Sequence, residues 1–165
     1  MNINFKKVTT DQDFLIVDQL ANKIWNEHYT PIIGKAQVDY MLKKFQNFDV
    51  MKSQVEKGYH YFLIESDNKA IGYIGFTEEE GALFLSKLYL LTTERGRGQG
   101  QKSLKFIFDF AKDYQLKGVK LTVNKYNEIA IKAYKRYGFE VIDEVVADIG
   151  QGYVMDDYIF YKSIQ

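Results

Sequence analysis

The 165 residues carry 46% apolar and 27% charged side chains, the balance of an ordinary globular domain rather than of a disordered or fibrous chain. No apolar run reaches the roughly 18 residues that would span a membrane, and the opening Met1–Lys7 lacks the charged-then-apolar order of a signal peptide. Without a single cysteine, disulfides, thiolate metal sites and a cysteine nucleophile are excluded, and a cytoplasmic location is the expectation. Twenty-two basic residues balance 22 acidic ones, so a general affinity for nucleic acid is not expected.

That balance is uneven along the chain. From Arg95 to Arg136 there are eleven Lys/Arg against three acids (Asp109, Asp113 and Glu128), a net +8, whereas Glu140 to Tyr161 holds six acids and no base. A solvated helix face accounts for any one of these lysines, but the segment as a whole suits a polyanionic ligand and the acidic stretch a cation.

In chain order, residues 3–8 alternate as a strand. Thr10–Asp13 reads as a capping box, and Val17, Ala21 and Trp25 recur at helical spacing, giving a helix over 11–28 that stops before Pro31. Val38, Met41, Leu42 and Phe45 mark a second helix and 50–56 a short third. Strands at 58–65, 70–77 and 82–91, separated by Asp67-Asn68 and Glu80-Gly81, form an antiparallel meander. A glycine-rich turn, 95–100, then opens a helix whose buried face is Leu104, Ile107, Phe108, Ala111 and Tyr114. A strand at 119–123, a helix at 127–137 closed by Gly138, and strands at 139–146 and 153–161 complete one α+β domain over 1–165.

Two segments carry chemistry. The turn Arg95-Gly96-Arg97-Gly98-Gln99-Gly100 fails both the P-loop and the dinucleotide fingerprint at Gln101, where each needs glycine. It satisfies R-x-x-G-x-G between a strand and a helix, an arrangement of bare N–H groups and a positive helix end that binds a diphosphate. About 27 residues on, Asn127 to Phe139 reads N-x-x-A-x-x-x-Y-x-x-x-G-F. Together the two segments resemble motifs A and B of the GCN5-related N-acetyltransferase (GNAT) superfamily. The polyamine acetyltransferases of bacteria are a looser likeness, through the aromatic spacing Trp25–Tyr29.

The resemblance implies a GNAT-like fold, a mixed, mostly antiparallel sheet of about seven strands flanked by helices and splayed between the strands at 82–91 and 119–123. It also implies acetyl-CoA as co-substrate, no metal, and direct attack by a primary amine in a ternary complex. Tyr89, Leu90, Arg95, Gly96, Arg97, Gly98, Gln99, Gly100, Gln101, Asn127 and Tyr134 would hold the coenzyme. The Leu90 N–H would polarise the thioester carbonyl and Tyr134 would protonate the departing thiolate. Read without the resemblance, Asn127 is a helix N-cap and Tyr134 a core aromatic.

For the acceptor, Trp25, Glu27, His28 and Tyr29 offer aromatics beside a carboxylate, suited to a small cationic amine, although Trp25 and Tyr29 on one helix face also fit plain core packing. No general base stands out. Thr122 occupies the position where some family members carry Glu, leaving Glu27, His28, His60, Glu78–Glu80 and Asp156-Asp157, or a water chain, to accept the proton. A coenzyme-binding sensory module without turnover is the alternative to an enzyme. The family also contains homodimers, and neither nucleic acid nor membrane is an expected partner.

Overall fold

The structure, a computed structural model, describes residues 2–164. Its elements run β1 (Ile3–Lys7), α1 (Asp11–His28), α2 (Thr30–Ile33), α3 (Lys35–Phe45), α4 (Phe48–Glu56), β2 (His60–Ser66), β3 (Lys69–Glu79), β4 (Ala82–Leu90), α5 (Gln99–Asp113), β5 (Gly118–Asn124), α6 (Glu128–Tyr137), β6 (Glu140–Gly150) and β7 (Tyr153–Ser163). The strands form a seven-stranded mixed sheet in the order β1-β2-β3-β4-β5-β7-β6, as expected for a GNAT fold. No helix among the described residues is long and apolar enough to cross a membrane.

The chain divides into two compact units, one of Met1–Thr77 with Lys87–Ser103, the other of Glu78–Ser86 with Leu104–Gln165. In the first, α1 starts on a complete capping box: Thr10 Oγ1 accepts from the Asp13 N–H, and the Asp13 carboxylate accepts from the Thr10 N–H. Phe14, Val17, Ala21, Ile24 and Trp25 recur every three or four residues and are buried along one stripe. The central stretches of β2 and β3, Tyr61–Ile64 and Ile71–Phe76, are buried residue after residue, which is why they read as continuous apolar runs. Asp67 and Asn68 both take positive φ, 51° and 67°, the type I′ geometry that joins these strands.

In the second unit, β4 and β5 run parallel but share only three pairs, Leu83↔Val119, Phe84↔Lys120 and Leu85↔Leu121. In contrast, β5 stays paired with β7 from Gly118↔Ser163 to Asn124↔Asp157. Gly118 permits that pairing, since a Cβ there would lie 2.3 Å from the Tyr161 hydroxyl and 2.7 Å from the Lys162 carbonyl.

Three details depart from the sequence reading. Helix α1 ends at His28, before Pro31 as expected, but a short helix that the sequence reading lacks, α2, follows it, with Pro31 in its first turn, where a missing N–H costs nothing. Tyr114 is exposed rather than buried, because α5 ends at Asp113 before the stripe of Leu104, Ile107 and Ala111 can extend to it; its ring stacks on Phe110 at 4.4 Å. Finally, β6 and β7 run to Gly150 and Ser163, beyond their expected ends.

Candidate active site

In the first unit, the end of β4 leads through a short 3₁₀ turn at Thr92–Glu94 into the glycine turn and α5. Gly96 and Gly98 take φ of 77° and 75°, a conformation that side chains resist, and a Cβ on either would meet nothing within 4 Å. The first helical bond of α5 runs from the Lys102 N–H to the Gly98 carbonyl, so the amides of Gly100 and Gln101 precede the helical ladder at its positive end. Open space above a left-handed glycine turn and a helix N-terminus supply main-chain donors that suit the diphosphate of coenzyme A, while the guanidinium of Arg95 lies against His28 and that of Arg97 is 3.8 Å from Glu94 Oε1. Gln99 is buried, its amide 3.5 Å from Glu94 Oε1 and its carbonyl accepting from Ser103 Oγ at 2.8 Å.

The residues just before this turn are held closely. Gly72 on β3 lies so near that a Cβ would sit 2.2 Å from the Tyr89 carbonyl and 3.1 Å from the Leu90 Cα. The Tyr89 ring joins Trp25 (5.5 Å), Tyr29 (6.3 Å) and Tyr73 (5.4 Å) in an aromatic cluster, within which Trp25 and Tyr29 stack at 4.3 Å. Trp25 and Tyr29 are both buried. Their neighbours on α1 reach the post-β4 segment: Thr92 Oγ1 donates to Glu27 Oε2 at 2.8 Å, and Arg95 Nη2 lies 3.1 Å from His28 Nδ1. Trp25, Glu27, His28 and Tyr29 are thus brought together with Tyr89 and Arg95.

The other candidate bases sit in different surroundings. His60 lies beside Phe76, and its imidazole is pushed down by burial first and by Lys7 second. Glu78–Glu80 are exposed. Asp156 pairs with Lys125 at 2.8 Å, and Lys125 also holds Glu144 at 2.7 Å. Asp157 is 5% exposed, and burial, reinforced by Asp156 and opposed by Lys125, pushes its carboxyl up to about 6.

In the second unit, Asn127 is the N-cap of α6, its Oδ1 accepting from the Ala130 N–H at 3.3 Å, and Gly138 ends the helix at φ 112°. Tyr134 sits three-quarters along, edge-on to Phe139 at 5.4 Å and tilted to Phe160 at 6.2 Å. Tyr137 packs on Phe108 at 5.2 Å and also reaches Phe139 at 6.3 Å. Among the described residues, no group of three or more His, Cys, Asp or Glu is placed to hold a metal ion.

Sequence reading missed Lys87. It is 3% exposed, its Nζ 5.3 Å from the Tyr61 ring centroid and 3.4 Å from Gln54 Oε1, and burial pushes its ammonium down to about 8. Its place in the alternation Leu83, Leu85, Lys87 was the available signal, since those leucines are also buried.

The acetyltransferase (GNAT) family model matches residues 19–139. No curated protein matches the chain. Among solved structures, a PaiA N-acetyltransferase from Thermoplasma acidophilum in complex with coenzyme A is 19% identical over 99% of both chains, with a TM-score of 0.81. A GCN5-related N-acetyltransferase from Rhodopseudomonas palustris is 9% identical over 99% of this chain and 96% of its own, with a TM-score of 0.82. The ribosomal-protein-S18-alanine N-acetyltransferase of Escherichia coli is 14% identical over 99% and 94%, with a TM-score of 0.74. Matched by its family model over most of its length and folded as these structures are, the chain belongs to the GNAT family and is an acyl-CoA-dependent N-acetyltransferase.

Proposed function

We propose that the protein, acting as one N-acetyltransferase domain, moves the acetyl group of acetyl-CoA to the primary amine of a small cationic acceptor, of which polyamines are one class. The turn at 95–100 carries this reading, because its open, positively polarised main chain suits the coenzyme's diphosphate. In the proposed site, Arg95 to Gln101 hold the diphosphate, while Tyr89, Leu90 and Asn127 hold the pantetheine arm alongside the β5 residues beyond Leu121. The Leu90 N–H stabilises the oxyanion that forms when the amine attacks. Tyr134 then gives a proton to the leaving thiolate; a phenol near 10 and a thiol near 8.5 are close enough for that transfer. Six acids between Glu140 and Tyr161 favour a cationic acceptor over a polyanion, so nucleic acid and membrane are not proposed as partners. A cytoplasmic location and a homodimer are compatible with this chemistry.

The test is release of free thiol from acetyl-CoA against polyamines, amino acids, aminoglycosides and N-terminal peptides. Turnover confined to one amine class supports the reading and names the acceptor. Tight coenzyme A binding by calorimetry with no turnover on any amine would favour a sensory module instead, and no binding would overturn the assignment of 95–100.

A further inference from the structure

The candidate bases divide sharply by surroundings. Glu27 and His28 are already engaged by Thr92 and Arg95, Asp156 by Lys125, His60 lies against Phe76 with burial opposing its charged form, and Glu78–Glu80 face solvent. Asp157 differs from all of them: the residue is 5% exposed, yet no hydrogen bond or ion pair reaches its carboxylate among the described residues. Neither carboxylate oxygen is sealed from solvent, so water or a ligand can supply the missing partner, without which an ionised carboxylate there is costly.

Its register is informative. The β4–β5 ladder ends at Leu85↔Leu121, whereas β5 continues to Asn124, which pairs with Asp157. At about 3.3 Å per residue, Asp157 therefore stands about 10 Å beyond the last β4–β5 pair, beside the stretch of β5 that the proposed pantetheine arm would follow. With no register shift between Gly118↔Ser163 and Asn124↔Asp157, residues 157 and 160 point to opposite faces of β7. Tyr134 packs against Phe160, so phenol and carboxylate belong to opposite sides of the strand, as a proton donor to the leaving group and a proton acceptor from the nucleophile would.

Resting on the acetyl-transfer reading above, we propose that Asp157 is the catalytic base, binding the acceptor's ammonium and taking its proton. The ammonium gives one proton to the Asp157 carboxylate, and the freed lone pair forms the C–N bond as the carbonyl π pair moves to oxygen. Collapse restores the carbonyl and breaks the C–S bond, and the thiolate takes the Tyr134 proton. The second nitrogen proton restores the phenol, and Asp157 releases its own to solvent. Alkylammonium and acetyl-CoA thus become amide, coenzyme A thiol and one proton.

The charged groups around Asp157 are Asp156 on its own strand, which raises its affinity for a proton, and Lys125, which lowers it; Lys125 in turn is held by Asp156 and by Glu144 on β6. With Asp157 pushed up to about 6, the carboxylate is ionised at pH 7 and is a better base than a solvent-exposed one. The removal of an unpaired buried charge is not expected to unfold the protein.

The experiment is the pH profile of kcat from pH 5 to 10, for the wild type and Asp157→Asn, with the best amine found by thiol release and with coenzyme A affinity measured by calorimetry. The expected result is about a 100-fold lower kcat at pH 7 in Asp157→Asn. The wild-type acid limb near pH 6 should disappear, the deficit should shrink toward pH 10 where the free amine is abundant, and coenzyme A affinity should change less than twofold. A wild-type profile without an acid limb between pH 5 and 7 overturns the assignment, even if the variant cannot be purified. So does a variant with wild-type kcat and an unchanged limb. A deficit constant at all pH values also overturns it, because that marks a structural role. Absence of turnover by the wild type on every amine overturns the transfer reading itself, and the assignment with it.

Discussion

Arg95 Nη2 lies 3.1 Å from His28 Nδ1, joining the end of α1 to the turn that precedes α5. A guanidinium only donates, so His28 must present an unprotonated Nδ1 and carry its proton on Nε2. The pair orients Arg95 before any ligand arrives, and Thr92 with Glu27 makes a second tie between the same segments. Arg95→Ala is expected to raise the KM for acetyl-CoA about tenfold or more, the worth of one hydrogen bond to a charged group. His28→Ala, which loosens Arg95 without removing its charge, should raise it about two- to fivefold, with kcat within twofold in both variants. Steady-state kinetics with varied acetyl-CoA checks this ordering, and an equal KM in both variants and the wild type would remove Arg95 from the coenzyme site.

Gly72 sets the position of the residues that precede that turn. A Cβ there would fall 2.2 Å from the Tyr89 carbonyl oxygen, which has no flexible end to swing away. Gly72→Ala is expected to cost about 1–3 kcal/mol in denaturant unfolding, as strand separation replaces contact. Because Leu90 shifts with Tyr89, kcat should fall as well. A variant of wild-type stability and kcat would show that β3 does not fix this backbone.

Asp13 tests the start of α1. Burial works against its ionised form, but the Thr9 and Thr10 N–H groups at 3.1 and 3.2 Å and Lys6 Nζ at 3.1 Å outweigh it and hold the carboxyl below the ordinary value. A carboxyl lowered by folding contributes stability above its unfolded value and loses it as pH falls through the folded one. Asp13→Ala should therefore cost about 1–2 kcal/mol at pH 7 and less at pH 3, measured by urea unfolding at both values.

Much of this architecture is legible in the sequence because its signals are local. The stripe from Phe14 to Trp25 repeats with the helical period, and Asp67-Asn68 names a turn by its tolerance of positive φ. Gly138 names a helix end in the same way. The motif around Tyr134 is equally local, since Asn127 and Gly138 cap the two ends of the one helix that carries Tyr134. What joins Glu27 to Thr92 and His28 to Arg95 is not local: the partners are 65 and 67 residues apart, and no periodicity links them. Side-chain state was hidden too. Asp156 and Asp157 are adjacent identical residues, yet one is ion-paired and the other buried, a difference set by which face of β7 each occupies.

Lys87 is the clearest such case, and its titration has a definite sign. Burial pushes its ammonium down to about 8 from an ordinary 10.5, so between those values the unfolded chain holds a proton that the folded chain does not. Stability from this group therefore rises with pH across that window. Lys87→Met should abolish the rise between pH 8 and 9.5 and increase Tm at pH 7, as scanning calorimetry would read. A slope that survives the substitution would assign the proton elsewhere.

The measurement that bears most directly on acetyl transfer is kcat of Tyr134→Phe, with acetyl-CoA and the amine that the wild type turns over. The substitution keeps the ring contacts to Phe139 and Phe160 and removes only the hydroxyl. A fall in kcat of tenfold or more, with coenzyme A affinity unchanged, is the predicted result for a lost general acid. A variant with wild-type kcat would contradict the role of Tyr134 and return its phenol to the packing of α6.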